Sequence, residues 1–371
     1  MGCPHAGHRT PLQPRADQPR QLLLDVQHAE RAGFTAAMSS DHLVPWSARQ
    51  GESGFAWSWL GAALATTDLP FGVVNAPGQR YHPAIIAQAL ATLGQMHPGR
   101  IWAALGSGEA ANEHVTGQGW PRKEIRDERL RECVDVIRRL LHGEVVSHDG
   151  HVVADRAQLW TLADPVPHLV GPAVTPQTAA RHADWADGLI TVNQPVERLR
   201  EVLAAYRDAG GRGPTRLQVH LSWARTQEQA AAIAHDQWRS NTVGPPIAWD
   251  VDSVEGFDAI GEHVTRESVA EAVRISADPG QHVEWLQEYL EIGYDELYLH
   301  FVGQDQREYL DTFAEQVLPH LGPTRPRRHP ARPSPTRREP GEPHRHRRPV
   351  VEARRPLLRR RADLRRLRRR R

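Results

Sequence analysis

Cysteine and methionine are scarce: the 371 residues hold two Cys and three Met. Cys3 and Cys133 lack metal-ligand spacing and cannot build a disulfide framework, so neither a cysteine zinc site nor any other metal centre is expected. Cys133 falls in the apolar register of a helical pattern, where a reduced thiol behaves as a small buried hydrophobe. Also lacking is any apolar run close to the roughly eighteen residues that a membrane span requires. No basic segment followed by an apolar core marks a secretory leader. These absences point to a soluble cytoplasmic protein with no membrane partner.

A net excess of charge is missing too, but the formal +1 conceals an asymmetry. From Arg325 onward stand 20 Arg against four acids, so the tail carries about +16 and the rest about −15. Residues 323–371, rich in Arg and Pro and poor in large apolar groups, cannot bury enough surface to offset their ordering entropy and are expected to be disordered. Such a tail could contact nucleic acid electrostatically. No aromatic or groove-reading element accompanies the charge, and the acidic body would repel phosphates, so nucleic acid is not the expected partner.

What is present is alternation. Between residues 20 and 322, apolar runs such as "FTAAMSS", "LPFGVVNAP", "RIWAALGSG", "PHLVGPA", "DGLITV", "TRLQVHLSWA" and "YDELYLHFVG" alternate with amphipathic stretches such as "RQLLLDVQHAERAG" and "KEIRDERLRECVDVIRRLLHG". One hairpin reads from "EVVSHDGHVVA". Repeated strand–helix units with apolar strands predict a parallel sheet covered by helices. Seven strands over this length fit a (β/α)8 TIM barrel with an insertion near the seventh strand, at about residues 226–264. The first strand is in doubt, because residues 1–19 hold four prolines and no apolar run. The reading is therefore an irregular N-terminus (1–19), one barrel domain (20–322) and a tail (323–371).

In a parallel barrel the active site lies at the carboxyl ends of the strands. Polar residues just past each apolar run are the candidates. They are Ser40, Asp41, His42 and Trp46; Asn75 and Gln79; Ser107, Gly108, Glu109, Asn112 and Glu113; Gly171 and Thr175; Asn193; and His300, Asp305 and Arg307. The set Trp46, Phe55, Trp57 and Trp59 suggests an apolar cleft, with core packing as the other reading of Trp57 and Trp59.

The stretches "SSDHLVPW" and "GSGEAANE", with the closing "HFVGQDQREYLDTFAEQVLPHL", resemble the luciferase-like superfamily of flavin- and deazaflavin-dependent oxidoreductases. The similarity extends to the branch of deazaflavin-dependent glucose-6-phosphate dehydrogenases and to FMN-type relatives. It covers about residues 20–322. The resemblance implies a luciferase-like barrel, a homodimer, and FMN or coenzyme F420 as cofactor. It also implies hydride transfer to or from a small organic substrate, or monooxygenation. His42 would be the proton acceptor, Trp46 would cover the reacting face and Glu109 would be acid or electrostatic partner. Asp41 and Asn112 would contact the cofactor ring, Asn75, Ser107 and Gly108 would also bind the cofactor, and Gly171 and Thr175 would hold its phosphate. Asn193 and Arg307 would meet the substrate.

Plainer readings stand beside these. Glu109 could be a helix-start carboxylate favoured by the dipole. Thr175 could be an ordinary N-cap. Pro172 removes one N–H donor from the phosphate loop. The residues after the sixth strand supply Asn193 and Gln194 rather than a cation, which argues against a sugar phosphate. A non-catalytic flavin-binding barrel is the alternative function.

Overall fold

The computed structural model describes residues 18–321 except 245. The expectations for the irregular N-terminus, an aberrant first strand and the Arg/Pro tail fall outside the described residues, apart from Gln18 and Pro19. Ten strands are assigned among the described residues: β1 (Ala37–Ser40), β2 (Phe71–Asn75), β3 (Ile101–Leu105), β4 (Val146–Asp149), β5 (Val153–Ala157), β6 (His168–Pro172), β7 (Leu189–Val192), β8 (Thr215–Ser222), β9 (Arg274–Ile275) and β10 (Glu296–Phe301). Seven run in parallel in the order β1-β2-β3-β6-β7-β8-β10, and the short β9 adds to β8. All seven apolar runs of the sequence appear in this sheet. β4 and β5 form the expected antiparallel hairpin.

The sheet curls, and two inward side chains show it. Trp102 of β3 and Tyr298 of β10 are four places apart in the strand order, yet their rings meet edge to face at 5.9 Å. The guanidinium of Arg216 on β8 also lies 4.5 Å from the Trp102 ring centre. Only a sheet rolled towards a barrel brings such strands together. Met38, Ala104, Val170 and Ile190 pack in the same interior cluster. Leu217, Val219, Leu221, Leu297 and Leu299 face the other way, against the helical layer. This in–out alternation with period two is the pleat itself.

Helices connect successive strands. The longest, Lys123–Leu141, sets Leu130, Cys133, Val134, Ile137, Leu140 and Leu141 on one face by their three- and four-residue spacing, and buries them. Cys133 is inside, as expected, and burial pushes its thiol up to about 12. Gly143 ends this helix region with φ of 82°, a conformation that strains any residue with a Cβ. The insertion after β8 holds the helices Gln227–Trp238, Ile247–Asp250 and Val254–Gly261, and Arg266–Ala272 follows it. Thr226, Ser253 and Thr265 cap three of these helices through their hydroxyls. No described helix is long and apolar enough to cross a membrane.

Candidate active site

A cleft of about 880 Å³ opens at the carboxyl ends of the strands, between them and the insertion. Its lining draws together Asp41, His42 and Trp46 after β1, Asn75 ending β2, Ser107, Gly108, Glu109 and Asn112 after β3, and Asn193 after β7. These are nine of the residues singled out for the reaction, the cofactor or the substrate, and they come from four separate chain segments.

The His42 neighbourhood is held by one amide. Asn112 Oδ1 accepts the backbone N–H of Leu43 at 2.7 Å and that of Val44 at 3.4 Å. Those two donors fix the amide's orientation, so its Nδ2 faces His42 Nδ1 at 3.0 Å and Glu109 Oε2 at 3.2 Å. Glu109 Oε2 also accepts from Trp46 Nε1 at 3.1 Å and lies 3.6 Å from His42 Nδ1. The His42 and Trp46 rings meet edge to face at 5.3 Å. Glu109 makes no side-chain capping bond to its short helix, so its carboxylate serves this cluster rather than the helix end. Gly108 has φ of 89°, and an added Cβ would meet Glu113 Cγ at 3.0 Å. Glycine is needed there to aim the turn that carries Glu109.

Asp41 differs from its expected ring-contacting role. Its side chain is 0% exposed and its oxygens are engaged within the protein. Oδ2 accepts from Trp57 Nε1 at 2.9 Å and Asn75 Nδ2 at 2.8 Å. Oδ1 accepts from the Tyr81 hydroxyl at 3.2 Å and pairs with Arg80 Nη2 at 3.3 Å. Burial, reinforced by the Asp41 charge, raises the Tyr81 phenol well above its usual range. Burial also raises the Glu113 carboxyl, which accepts the Arg80 backbone N–H at 2.7 Å. Asp41 thus positions Asn75, whose Oδ1 is buried without a hydrogen-bond partner. A second cleft residue, Asn241, has an unpartnered buried Nδ2. The buried acceptor of Asn75 fits a heterocyclic ring bearing an N–H group.

Other expectations are corrected. Gly171 and Thr175 do not line the cleft. A Cβ on Gly171 would sit 2.7 Å from His182 Cβ, so that glycine admits a close-packed histidine. Thr175 caps the helix Pro176–His182 by accepting from Thr178 N–H at 3.2 Å. Pro172, Ala173, Val174, Thr178 and Arg181 reach the cleft from this corner instead. Arg307 is exposed and outside the cleft lining; its backbone N–H is held by Asp305, which caps the last long helix. Trp57 and Trp59 are buried core residues, and Phe55 is exposed beside Tyr81. Asn193 lines the cleft, but its amide is engaged on both sides, by the His220 N–H at 2.9 Å and the Ala272 carbonyl at 3.0 Å.

On the opposite wall the sequence offered His300 as a candidate but left Gln218, His220 and Trp238 unread. Gln218 Nε2 stands 3.0 Å from His220 Nε2 and 3.2 Å from His300 Nδ1. The Trp238 ring packs on both imidazoles, at 4.6 and 4.9 Å, and on Trp46 at 5.8 Å. The available signal was the polar alternation Arg216, Gln218, His220 and Ser222 inside an otherwise apolar strand. Such residues must face a barrel interior. Trp238 gave none, since it ends an amphipathic helix of the insertion. No cluster of metal-ligating side chains occurs among the described residues.

Comparison with known proteins agrees with this geometry. The family model described as luciferase-like monooxygenase matches residues 3–296. An F420-dependent glucose-6-phosphate dehydrogenase of Nakamurella multipartita is 35% identical over 306 residues, covering 79% of this chain and 90% of that protein. An F420-dependent hydroxymycolic acid dehydrogenase of Mycobacterium tuberculosis is 34% identical over 311 residues, covering 81% of this chain and 84% of its own. A solved F420-dependent secondary alcohol dehydrogenase, in complex with an F420-acetone adduct, matches with a TM-score of 0.79 and 26% identity over 85% of this chain and 99% of that one. The chain belongs to the luciferase-like monooxygenase family and is an oxidoreductase of that class.

Proposed function

We propose that the protein binds F420 or FMN in the cleft and moves a hydride between that cofactor and a small organic substrate, with His42 exchanging the accompanying proton. The observation that carries this reading is the placement of His42 Nδ1 between two partners, Asn112 Nδ2 at 3.0 Å and Glu109 Oε2 at 3.6 Å. When Nδ1 accepts from Asn112, the neutral ring holds its proton on Nε2. When Nδ1–H turns to Glu109, Nε2 becomes the exchanging nitrogen, a base when neutral and an acid when protonated. The Glu109 carboxylate then offsets the imidazolium charge, and Trp46 fixes that carboxylate through its indole N–H. Asn75 Oδ1 and the Ser107–Gly108 turn would hold the cofactor ring. Arg181 and Thr178, which line the cleft, would meet an anionic arm of the cofactor. The bound cofactor supplies the two-electron acceptor or donor that no side chain of the cleft can provide.

The test is a visible-spectrum titration of the purified protein with F420 and with FMN, followed by turnover of the His42→Ala variant. Cofactor affinity should stay within about tenfold while turnover falls by roughly a hundredfold or more. A protein that perturbs the spectrum of neither cofactor would overturn the reading.

A further inference from the structure

We infer that Asp258 is a positioning residue of the reacting cluster: from the insertion helix Val254–Gly261 it grips the turn after β1 and so keeps the Trp46 indole N–H on Glu109. The inference rests on the oxidoreductase reading above, which gives His42 the proton, and concerns what holds that histidine's partners in place.

The grip is the first observation. Asp258 Oδ1 accepts the Ser47 hydroxyl at 2.6 Å, and Oδ2 accepts the Ala48 N–H at 3.0 Å. One carboxylate thus holds two successive residues, and Trp46 immediately precedes them. Ser47 is buried, and its Oγ accepts the Arg49 N–H at 3.1 Å, so the hydroxyl proton is committed to Asp258. Both groups facing Asp258 are donors, which suits an ionised carboxylate because it only accepts.

The rest of the turn is tied to the same insertion. Gln50 Oε1 accepts the Trp46 N–H at 3.2 Å, and Gln50 Nε2 donates to the Gln237 carbonyl at 3.1 Å. Arg49 pairs with Asp236 at 2.9 Å. Next in the chain is Trp238, whose ring packs edge to face on Trp46 at 5.8 Å. The helix bearing Asp258 packs on this part of the insertion as well. A Cβ on Gly261 would lie 2.7 Å from Ser240 Oγ, and Phe257, beside Asp258, is buried. Asp258, Gln237 and Trp238 therefore belong to one packed unit.

Two anchorages meet at Trp46. Leu43 and Val44 are held from the barrel side, by Asn112 Oδ1. Residues 47 and 48 are held from the insertion side, by Asp258. Between them the Trp46 indole donates to Glu109 Oε2 at 3.1 Å, the same oxygen that lies 3.6 Å from His42 Nδ1. The indole is rigid, so a small rotation of the turn misaligns this bond, and hydrogen bonds weaken steeply with misalignment. Asp258 itself lies outside the cleft lining, so it acts through Trp46 and not on a ligand.

The experiment uses the full chain without cofactor, with 15N-labelled tryptophan indoles. The Trp46 resonance is the one missing from Trp46→Phe. The Trp57 indole, which donates to Asp41 Oδ2 at 2.9 Å, serves as internal control. Solvent exchange of the Trp46 indole N–H should quicken about tenfold in Ser47→Ala and further in Asp258→Ala, since one charge-assisted hydrogen bond is worth about that factor. Trp57 exchange should stay within about twofold. Asp258→Asn, which keeps an acceptor for one of the two donors, should fall between wild type and Asp258→Ala. The NMR titration midpoint of His42, identified by its loss in His42→Ala, should rise in Asp258→Ala, because Glu109 Oε2 loses a competing donor. Adding Asp258→Ala to Trp46→Phe should move that midpoint no further, as expected of two changes acting on one bond. Unchanged Trp46 exchange, equal quickening of Trp46 and Trp57, or additive midpoint shifts would each overturn the inference. Ser47→Ala, which leaves the Ala48 bond in place, decides the matter if Asp258→Ala does not fold. No cofactor or substrate enters these measurements, so a failure of the hydride-transfer reading shows separately, in the cofactor titration.

Discussion

Asn75 donates from Nδ2 to Asp41 Oδ2 at 2.8 Å, and this one bond decides which end of the amide remains available. Oδ1 is left buried and unpartnered at the edge of the cleft. A cofactor-ring N–H would satisfy it. Asn75→Ala should therefore weaken F420 or FMN binding by about tenfold, the worth of one such hydrogen bond, while leaving the melting temperature nearly unchanged. Binding titration and thermal melts read the two effects separately; unaltered affinity would remove Asn75 from the cofactor site.

Asp41 itself is a stability residue before it is a ligand. Asp41→Asn removes the charge facing Arg80 and forces an amide N–H towards one of its donors. Breaking such a buried pair costs about 3–5 kcal/mol. Urea unfolding should show that loss in the ligand-free protein, and a variant as stable as wild type would contradict the hub described here.

Asn112 Nδ2, 3.0 Å from His42 Nδ1, would favour the tautomer protonated on Nε2. In Asn112→Asp a carboxylate replaces the amide donor, so Nδ1–H and the protonated ring both gain a partner. The pH at which activity changes should move upward relative to wild type, and the Leu43 and Val44 N–H groups keep an acceptor. Glu109→Gln, which removes the counter-charge, should move it downward and lower turnover at least tenfold. Rate–pH profiles of the two variants that coincide with wild type would refute the role given to this cluster.

Two buried histidines make stability depend on pH. His182 accepts the Trp185 indole N–H at 3.1 Å and lies 3.1 Å from the Pro172 carbonyl through Nε2. His282 Nε2 lies 3.0 Å from the Ser276 carbonyl. Burial lowers each from the usual 6.5 to about 4. Unfolding therefore takes up protons between these values, so their contribution is whole above about pH 6.5 and is lost as pH falls towards 4. The urea midpoint should drop across that window, and the double variant His182→Gln, His282→Gln should show a shallower drop from a lower starting point. An unchanged slope would mean that neither imidazole is held neutral.

The sequence by itself determined the seven parallel strands, the helices between them and the strand ends that carry His42, Trp46, Glu109 and Asn112. These features are local: strand and helix periodicities and short motifs are written in consecutive residues. It also determined that Cys133 would be buried, because helical spacing places it among Leu130, Val134 and Ile137. Only the tertiary structure decided which candidates meet. Gly171, Thr175 and Arg307 satisfy the strand-end rule in sequence, yet packing of His182 and local capping turn them to other tasks. Asp41 looked like a ligand until Trp57, Asn75, Arg80 and Tyr81 closed around its carboxylate. Trp238 reaches the site from a helix of the insertion, and its partners Trp46, His220 and His300 lie on three other segments. No local pattern encodes that meeting. It follows from the curl of the sheet, which Trp102 and Tyr298 reveal by touching across its interior.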